Sequence, residues 1–308
     1  MTETSQVPAQ RSTKREKTAE RLLRSSAARS YDPDVDIDWS APIDPDKRFL
    51  PEHRVSLYGT ELWQRMTPEQ RYELGKHEII SITSFGIYAE VALMHLLLKV
   101  ATQGDPTSRH AQYALTEVAD ECRHSTMFGR GIEKSGLRPY LAPWWFRGLL
   151  NLSLLLPIGP ATYGGTLLVE EVTDRLQRES MVDEDIQPTI RMINKIHVLE
   201  EARHISFARA EVNRMVPKLG RIELALNRVA LALAAPSLVR LMLDPGVYSA
   251  VGLDPKEARK AARANPHHRE SVRWMGERIV GFLTEAGMIS GVVTKALWRR
   301  SFLLGPSR

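Results

Sequence analysis

Cysteine is almost absent from the sequence. Cys122 is the single cysteine among 308 residues, so no disulfide can form within the chain and thiolates cannot hold an iron–sulfur cluster. A secretory signal is also missing from the N-terminus, and the early Glu3 is unusual for a transit peptide. Together these absences predict a protein of a reducing, cytoplasmic compartment.

An excess of charge of one sign is missing from most of the chain. The net charge is +5, but residues 1–30 alone hold seven basic and three acidic side chains. The rest of the chain is nearly neutral, which excludes the broad basic surface of a nucleic-acid-binding protein. Residues 1–30 are predicted to be disordered or loosely helical and the Asp- and Pro-rich residues 31–50 extended, so that residues 1–50 form a partly disordered extension.

Long apolar segments are rare, and the longest uncharged one is interrupted. Residues 148–169, GLLNLSLLLPIGPATYGGTLLV, hold no charge over 22 positions, a length sufficient to span a bilayer. Pro157, Gly159 and Pro160 lie in its middle, so each half is too short to cross on its own. We therefore expect a buried helix–loop–helix and no membrane span.

The sequence also lacks the alternation of polar and apolar residues that is typical of a half-buried strand. From about residue 61 its apolar residues follow helical periodicity. Thr67, Pro68 and Gln70 supply the capping residue, first-turn proline and third-position glutamine of a helix start. Further helices are predicted from Asp105-Pro106 to about Lys134 and from Gln187-Pro188 to about Met215. We predict an all-α protein with one helical domain over residues 51–308, including C-terminal helices near 221–234, 255–263, 269–286 and 289–302.

Within this helical pattern, one motif of glutamate and histidine occurs twice. Glu-x-x-His is present as ECRH at residues 121–124 and, 80 residues later, as EARH at residues 201–204. Each copy is preceded at an interval of 31 residues by a glutamate in an apolar helix, Glu90 or Glu170, an interval that the adjacent Glu171 does not keep. A single Glu-x-x-His often lies on a solvated face, but repetition of motif and interval indicates a shared site.

Helix geometry explains this spacing. Residues three apart share one face of a helix, so two helical hairpins can pack as a four-helix bundle with the motifs inside, in a core over about residues 60–215. Four buried carboxylates would be prohibitive without compensating charge, which two metal ions supply. This ligand set is that of ferritin-like di-iron and di-manganese proteins, and its oxygen and imidazole donors suit iron or manganese. The candidate ligands are Glu90, Glu121, His124, Glu170, Glu201 and His204.

His197 breaks the symmetry of the repeat. It precedes Glu201 by four residues and lies on the same helix face, whereas its counterpart in the first copy is Glu117. With this extra histidine the sequence resembles the arylamine N-oxygenase family, whose best-known members oxidise p-aminobenzoate. The resemblance implies that His197 is a third imidazole ligand; the alternative is a histidine hydrogen-bonded outside the ligand set. The motifs that carry the resemblance are Glu90, ECRH at 121–124, Glu170 and HVLEEARH at 197–204.

The resemblance implies a class of reaction. Two iron ions, or manganese in their place, would use O2 to oxidise the nitrogen of an aryl amine toward a hydroxylamine or nitro product. Because a flavin or iron–sulfur motif is missing, the electrons are expected from an external donor. The residues before Glu90 read SITSFGIYA and hold no arginine, so a substrate larger or less acidic than a benzoate is expected. Phe85 and Tyr88 either line its pocket or belong to the packed core.

Acidic residues near the candidate histidines have two interpretations. Asp120 precedes His124 by four residues, and Glu200 precedes His204 by the same interval. Each either accepts a hydrogen bond from the histidine one turn later or is solvated. Asp174, one turn after Glu170, is a further candidate for such a supporting role.

Other reactions of the same fold stay open. A ribonucleotide-reductase-like radical protein is disfavoured because Phe128, rather than a tyrosine, follows His124 by one turn. A carbon hydroxylase or desaturase would not need His197, and a ferroxidase or iron-binding protein is a third alternative. A homodimer is plausible for a helical bundle of this size.

Overall fold

The computed structural model describes residues 13–152, 155 and 157–305, and its regular structure is helical. The residues within these ranges contain no β-strand, and an isolated bridge joins Arg48 to Ile186. The all-α prediction is confirmed. The α-helices, in chain order, are α1 (Lys14–Ala28), α2 (Pro33–Asp36), α3 (Glu61–Arg65), α4 (Pro68–Thr102), α5 (Arg109–Lys134), α6 (Trp144–Leu152), α7 (Pro160–Ser180), α8 (Pro188–Met215), α9 (Arg221–Leu241), α10 (Gly246–Ala250), α11 (Pro255–Ala264), α12 (Pro266–Glu285) and α13 (Val292–Arg300).

The sequence signals at helix ends are mostly confirmed. The Thr67 side chain accepts a hydrogen bond from the Gln70 N–H, and the Gln70 side chain accepts one from the Thr67 N–H, so α4 begins with the expected capping box. α5 begins at Arg109 with Ser108 as its cap. This start is later than predicted because the Asp105 carboxylate is used in a turn just before the helix.

Four helices form the bundle that carries the repeated motif. α4 packs against α5 and α7 packs against α8, and contacts of α5 with α8 and of α4 with α7 close the bundle. Gly131 lies where α5 approaches α8, since a Cβ at this position would be 2.8 Å from Cδ1 of Ile193. The arrangement is the predicted ferritin-like four-helix bundle with additional C-terminal helices.

The N-terminal extension contains a regular helix, α1, that packs on the bundle. α1 packs against α5 and α8, with Ala19 and Leu22 buried. Arg15 donates two hydrogen bonds to the Glu211 carboxylate of α8. Of the two alternatives for this segment, residues 14–28 are helical, and contacts with distant residues rather than local propensity stabilise the helix. Residues 1–12 lie outside the described residues.

The uncharged segment 148–169 does not form the buried helix–loop–helix that we expected. Its second half begins α7, which is buried on one face, but its first half belongs to α6, none of whose residues is buried. Trp144 is 79% exposed and Leu152 is 55% exposed. An apolar composition predicted a helix here but did not specify what covers it. Residues 153, 154 and 156 of this segment lie outside the described residues.

The C-terminal helices cover part of the bundle. α9 and α12 pack on α7, α13 packs on α9, and α10 packs on α4. α9 runs to Leu241, beyond the end predicted near 234, and continues through Pro236. By length and composition, two helical stretches are able to cross a membrane, Pro68–Thr102 and Arg221–Ala250. The first is α4 of the bundle, whereas only 17% of the apolar window of the second is buried.

Candidate metal centre

The seven side chains singled out from the sequence meet inside the bundle. α4 and α7 supply one glutamate each, α5 supplies a Glu-x-x-His, and α8 supplies His-x-x-x-Glu-x-x-His. None of the seven is more than 4% exposed. Their donor atoms fall into three overlapping groups, and within each group the atoms lie within 4.8 Å of one another. The groups are Glu121, His124, Glu201 and His204; Glu90, His124 and His197; and Glu170, His197 and Glu201.

The histidines of the two Glu-x-x-His motifs point the same nitrogen inward. His124 Nδ1 lies 3.0 Å from Glu121 Oε2 and 3.2 Å from Glu201 Oε1. His204 Nδ1 lies 2.8 Å from Glu121 Oε1 and 3.0 Å from Glu201 Oε1. The two copies of the motif thus form a symmetric cluster, in which each imidazole lies close to both carboxylates.

The third histidine, His197, faces the same cluster through Nε2. This nitrogen lies 3.2 Å from Glu90 Oε1 and 3.7 Å from Glu201 Oε1. On the other side of the ring, Nδ1 lies 2.8 Å from the Gln177 side-chain oxygen, and this oxygen can only accept. Donation to Gln177 leaves Nε2 with a free lone pair directed at the carboxylates, the form in which an imidazole binds metal. Gln177, which the sequence analysis missed, carries no motif of its own.

The hydrogen bonds behind the two candidate ligand histidines, His124 and His204, are crossed between helices. His124 Nε2 is 3.0 Å from Glu200 Oε2, and His204 Nε2 is 3.2 Å from Asp120 Oδ2. The sequence left two interpretations open, a hydrogen bond to the histidine one turn later on the same helix and a solvated carboxylate. Neither describes the structure: both carboxylates are buried, and each supports the histidine of the facing helix, because α5 packs against α8.

Two arginines neutralise these supporting carboxylates. Arg203 donates to Asp120 Oδ2 over 3.2 Å and lies 3.6 Å from Glu200, and Arg123 also contacts Asp120. The backbone N–H of Tyr31 donates to Glu200. The two arginines stand 80 residues apart in the sequence, so the repeat extends beyond the candidate ligands to the groups behind them.

The electrostatics of the cluster are those of a cation site. Burial raises the pKa of Glu90 well above its ordinary range, and the neighbouring carboxylates raise it further. Burial and the same kind of repulsion raise the pKa of Glu170, and burial lowers the pKa of His197 to about 4. The buried Oε2 atoms of Glu90 and Glu201 accept no hydrogen bond from any described residue. A positive charge at this point would interact with the two unpaired Oε2 atoms and would offset the repulsion between the carboxylates.

The two acidic neighbours of Glu170 are used elsewhere. Glu171 forms an ion pair with Arg209, with the Nε–Oε1 distance at 2.7 Å, and Asp174 accepts two hydrogen bonds from Arg178. The 31-residue interval that favoured Glu170 over Glu171 agrees with this arrangement. Asp174 is buried, and its contacts are an ion pair with Arg178 rather than a hydrogen bond to a candidate ligand.

A small cavity adjoins the centre on the side of Glu90 and His197. Its volume is about 40 Å³. Its walls are mostly apolar, and its polar groups include Asn194 and Gln177 but no lysine or arginine. A second cavity of about 370 Å³ lies farther out. Phe85 lines both cavities and also belongs to the packed core, and Tyr88 lines the outer cavity.

The sequence is similar to known proteins over most of its length. The sequence model of the family described as P-aminobenzoate N-oxygenase AurF matches residues 12–287. An uncharacterized protein of Mycobacterium tuberculosis (strain CDC 1551 / Oshkosh) is 29% identical over 233 residues, which are 72% of this chain and 66% of that protein. An uncharacterized protein of Mycobacterium bovis is 29% identical over 212 residues, which are 66% of this chain and 62% of that protein. The chain thus spans less than two thirds of the length of these curated relatives.

A distant likeness extends to a solved structure. It is a point mutant of an R2-like ligand-binding oxidase with an aerobically reconstituted Mn/Fe cofactor. The TM-score is 0.48 at 13% sequence identity, and the match covers 98% of this chain and 96% of that one.

Proposed function

Because the chain belongs to the P-aminobenzoate N-oxygenase AurF family, we propose that it is an O2-dependent di-iron oxygenase that oxidises the nitrogen of an aryl amine. The product would be a hydroxylamine or a nitro compound. The observation that carries this proposal is the third histidine. His197 turns Nε2 toward Glu90 and Glu201 while Gln177 engages its other nitrogen, so the site offers one imidazole more than the pair of Glu-x-x-His motifs supplies.

The proposed ligands fit two metal ions. Four carboxylates and three imidazoles provide mixed oxygen and nitrogen donors, which suit iron and, as the alternative, manganese. When bound, these ions would supply the redox chemistry by which O2 is activated. The proposed ligands are Glu90, Glu121, His124, Glu170, His197, Glu201 and His204.

The protein's own residues would orient the ligands and exclude water. Glu200 and Asp120 accept from the outer nitrogens of His124 and His204, so each inward Nδ1 is the nitrogen that would bind a metal. Phe128 covers His197, with ring centroids 4.9 Å apart. A buried, mostly apolar site of this kind limits side reactions with water.

The lining of the inner cavity favours an uncharged substrate. It holds Asn194 and Gln177 as neutral hydrogen-bonding groups and lacks a cationic side chain. An aromatic amine without a carboxylate matches such a lining better than a benzoate does. The cavity of about 40 Å³ is much smaller than typical ligand pockets of roughly 300 Å³ or more, so we propose that Phe85 moves toward the outer cavity when substrate binds.

The proposed reaction requires partners beyond the substrate and O2. Electrons would come from an external donor, since Cys122 is the single cysteine of the chain and cannot hold a cluster. A cytoplasmic location and a homodimeric state remain part of the same proposal. The proposal includes no nucleic-acid partner.

A labelling experiment tests the reaction class. Protein loaded anaerobically with ferrous iron receives ¹⁸O2, a chemical reductant and a panel of aryl amines, and mass spectrometry locates the label. We expect ¹⁸O on nitrogen for the wild type and none for Glu170→Gln. Glu171→Gln is the matched control, because the adjacent Glu171 is paired with Arg209 and its replacement should leave labelling intact.

The outcomes separate the alternatives. Label on carbon would replace N-oxygenation with carbon hydroxylation at the same centre. Iron oxidation without a labelled organic product would indicate a ferroxidase. Equal labelling of both glutamine variants would contradict the proposed role of Glu170.

A further inference from the structure

One side of the molecule exposes an apolar stripe along α9. The spacing of its residues, four, three and four, is that of a single helix face. The opposite face of α9 is packed on the protein through Leu231 and Ala235. The largest exposed side chains of the stripe, 41 to 78% exposed, are Ile222, Leu226, Val229 and Leu233.

α6 and α13 extend this stripe into a wider surface. Trp145 of α6 lines the same cavity as Leu241 at the end of α9, and the Ala161 N–H at the start of α7 donates to Asn227 of α9. α6 therefore lies beside the end of α9, and α13 packs on α9. We call the exposed apolar side chains of the three helices the apolar face. Besides the α9 stripe it comprises Trp144, Leu149, Leu152, Val292 and Val293.

The charges around the apolar face are almost all positive. Residues 138–152, 218–241 and 292–300 hold nine basic side chains and one acidic side chain, Glu223. The whole chain, in contrast, has 42 basic and 37 acidic residues, so the rest of the molecule is acidic on balance. Among the exposed basic residues, Arg221 and Arg240 lie at the two ends of α9 and Arg147 lies on α6.

We infer that the apolar face binds the surface of an anionic lipid bilayer. Leucine, valine and tryptophan on one face of a helix, with arginine around them, are the composition of helices that lie in the membrane interface. The buried face of α9 stays on the protein, so the helix lies on the bilayer and does not span it. A second copy of the chain is a poorer occupant, because a symmetric contact would bring one basic rim against another.

Vesicle binding by the full chain tests this inference. Sedimentation is measured with vesicles of phosphatidylcholine alone and with an equal mixture of phosphatidylcholine and phosphatidylglycerol. We expect the wild type to bind the mixed vesicles more tightly, and the difference to shrink in high salt. Leu226→Glu with Leu233→Glu should weaken binding by about tenfold or more, because each change removes a leucine that the bilayer would bury and adds a negative charge. The matched control is Leu98→Glu with Leu115→Glu, at leucines that are also exposed but lie on α4 and α5.

Circular dichroism of each variant establishes that the helices are retained. A wild type that stays in the supernatant with both vesicle types would overturn the inference, as would equal loss of binding in both leucine pairs. Analytical ultracentrifugation without lipid provides a further test. A dimer that the Leu226 and Leu233 changes dissociate, together with absent vesicle binding, would assign the apolar face to a second copy of the chain.

Discussion

At the residue scale, the crossed hydrogen bonds at the candidate centre make each of two helices support a histidine of the other. Glu200 belongs to α8 but contacts His124 of α5, and Asp120 of α5 contacts His204 of α8. A change at one of these carboxylates should therefore disturb the histidine of the other helix. The interactions behind metal-bound histidines commonly affect metal affinity by about 10- to 100-fold.

We predict that Glu200→Gln weakens binding of ferrous iron by about tenfold or more, without unfolding the protein. The glutamine amide can donate to His124 Nε2 and so favours the wrong tautomer of the ring. Competition with a chromophoric chelator under anaerobic conditions measures the affinity. Asp174→Asn is the control, since Asp174 is paired with Arg178; equal weakening in both variants would contradict the assigned role of Glu200.

Glu78 is a buried carboxyl outside the candidate centre and gives a separate pH dependence. It accepts hydrogen bonds from the N–H and hydroxyl of Ser56, but burial raises its pKa from 4.5 to about 7. The unfolded chain releases this proton at lower pH than the folded protein does. Stability is therefore lost as pH rises from about 4.5 to about 7 and changes little beyond.

We predict that Glu78→Gln removes this loss. The rise in pKa corresponds to about 3 kcal/mol of folding free energy above pH 7, and the amide can keep both contacts with Ser56. Urea unfolding at about pH 5 and about pH 8 measures the effect. The free energy of unfolding of the variant should exceed that of the wild type at the higher pH only. An increase of the same size at both pH values would indicate a packing effect and not ionisation.

At the scale of elements, α1 shows how a weak local signal becomes an ordered helix. Leu22 is buried at 1% exposure, and Arg15 joins the helix to Glu211 of α8. We predict that Leu22→Ala lowers the free energy of unfolding by about 2–4 kcal/mol, through lost burial and the cavity left behind. Urea denaturation provides the measurement.

The control for α1 is Val35→Ala, because Val35 is 80% exposed and its truncation should change stability by less than about 0.5 kcal/mol. If α1 were a detachable extension, the two variants would behave alike. A large difference between them identifies α1 as part of the folded domain.

The helical elements of the bundle were predictable because each carries its own signal. Thr67 and Gln70 cap α4, and the interval from Glu90 to residues 121–124 repeats in the second hairpin. The crossed supporting pairs were not predictable, since they depend on how α5 lies against α8. The exposure of α6 was missed for a related reason: an apolar segment such as 148–152 does not reveal what covers it.

At the scale of the whole molecule, removal of metal should make stability depend on pH. Burial first, and neighbouring carboxylates second, raise the pKa of Glu90, and Glu170 behaves likewise, so both destabilise the metal-free fold as pH rises above 4.5. Hydrogen bonds and charges from neighbouring carboxylates raise the pKa of His124 and His204 against burial. The stability that their protonation contributes is also lost as pH rises through these folded-state values.

Metal ions should reverse this trend, because they bind deprotonated ligands and bind more tightly as pH rises. We predict that two equivalents of Mn²⁺, which is stable in air, raise the unfolding temperature, and that the increase is larger at about pH 8 than at about pH 6. Ligand at about 100 times its Kd adds about 2.7 kcal/mol of stability. Scanning calorimetry measures the shift in wild type, Glu170→Gln and the control Glu171→Gln. If Glu170→Gln retained the full shift while Glu171→Gln lost it, Glu171 would replace Glu170 as the ligand; if manganese shifted none of the three proteins, the buried cluster would not be a metal centre.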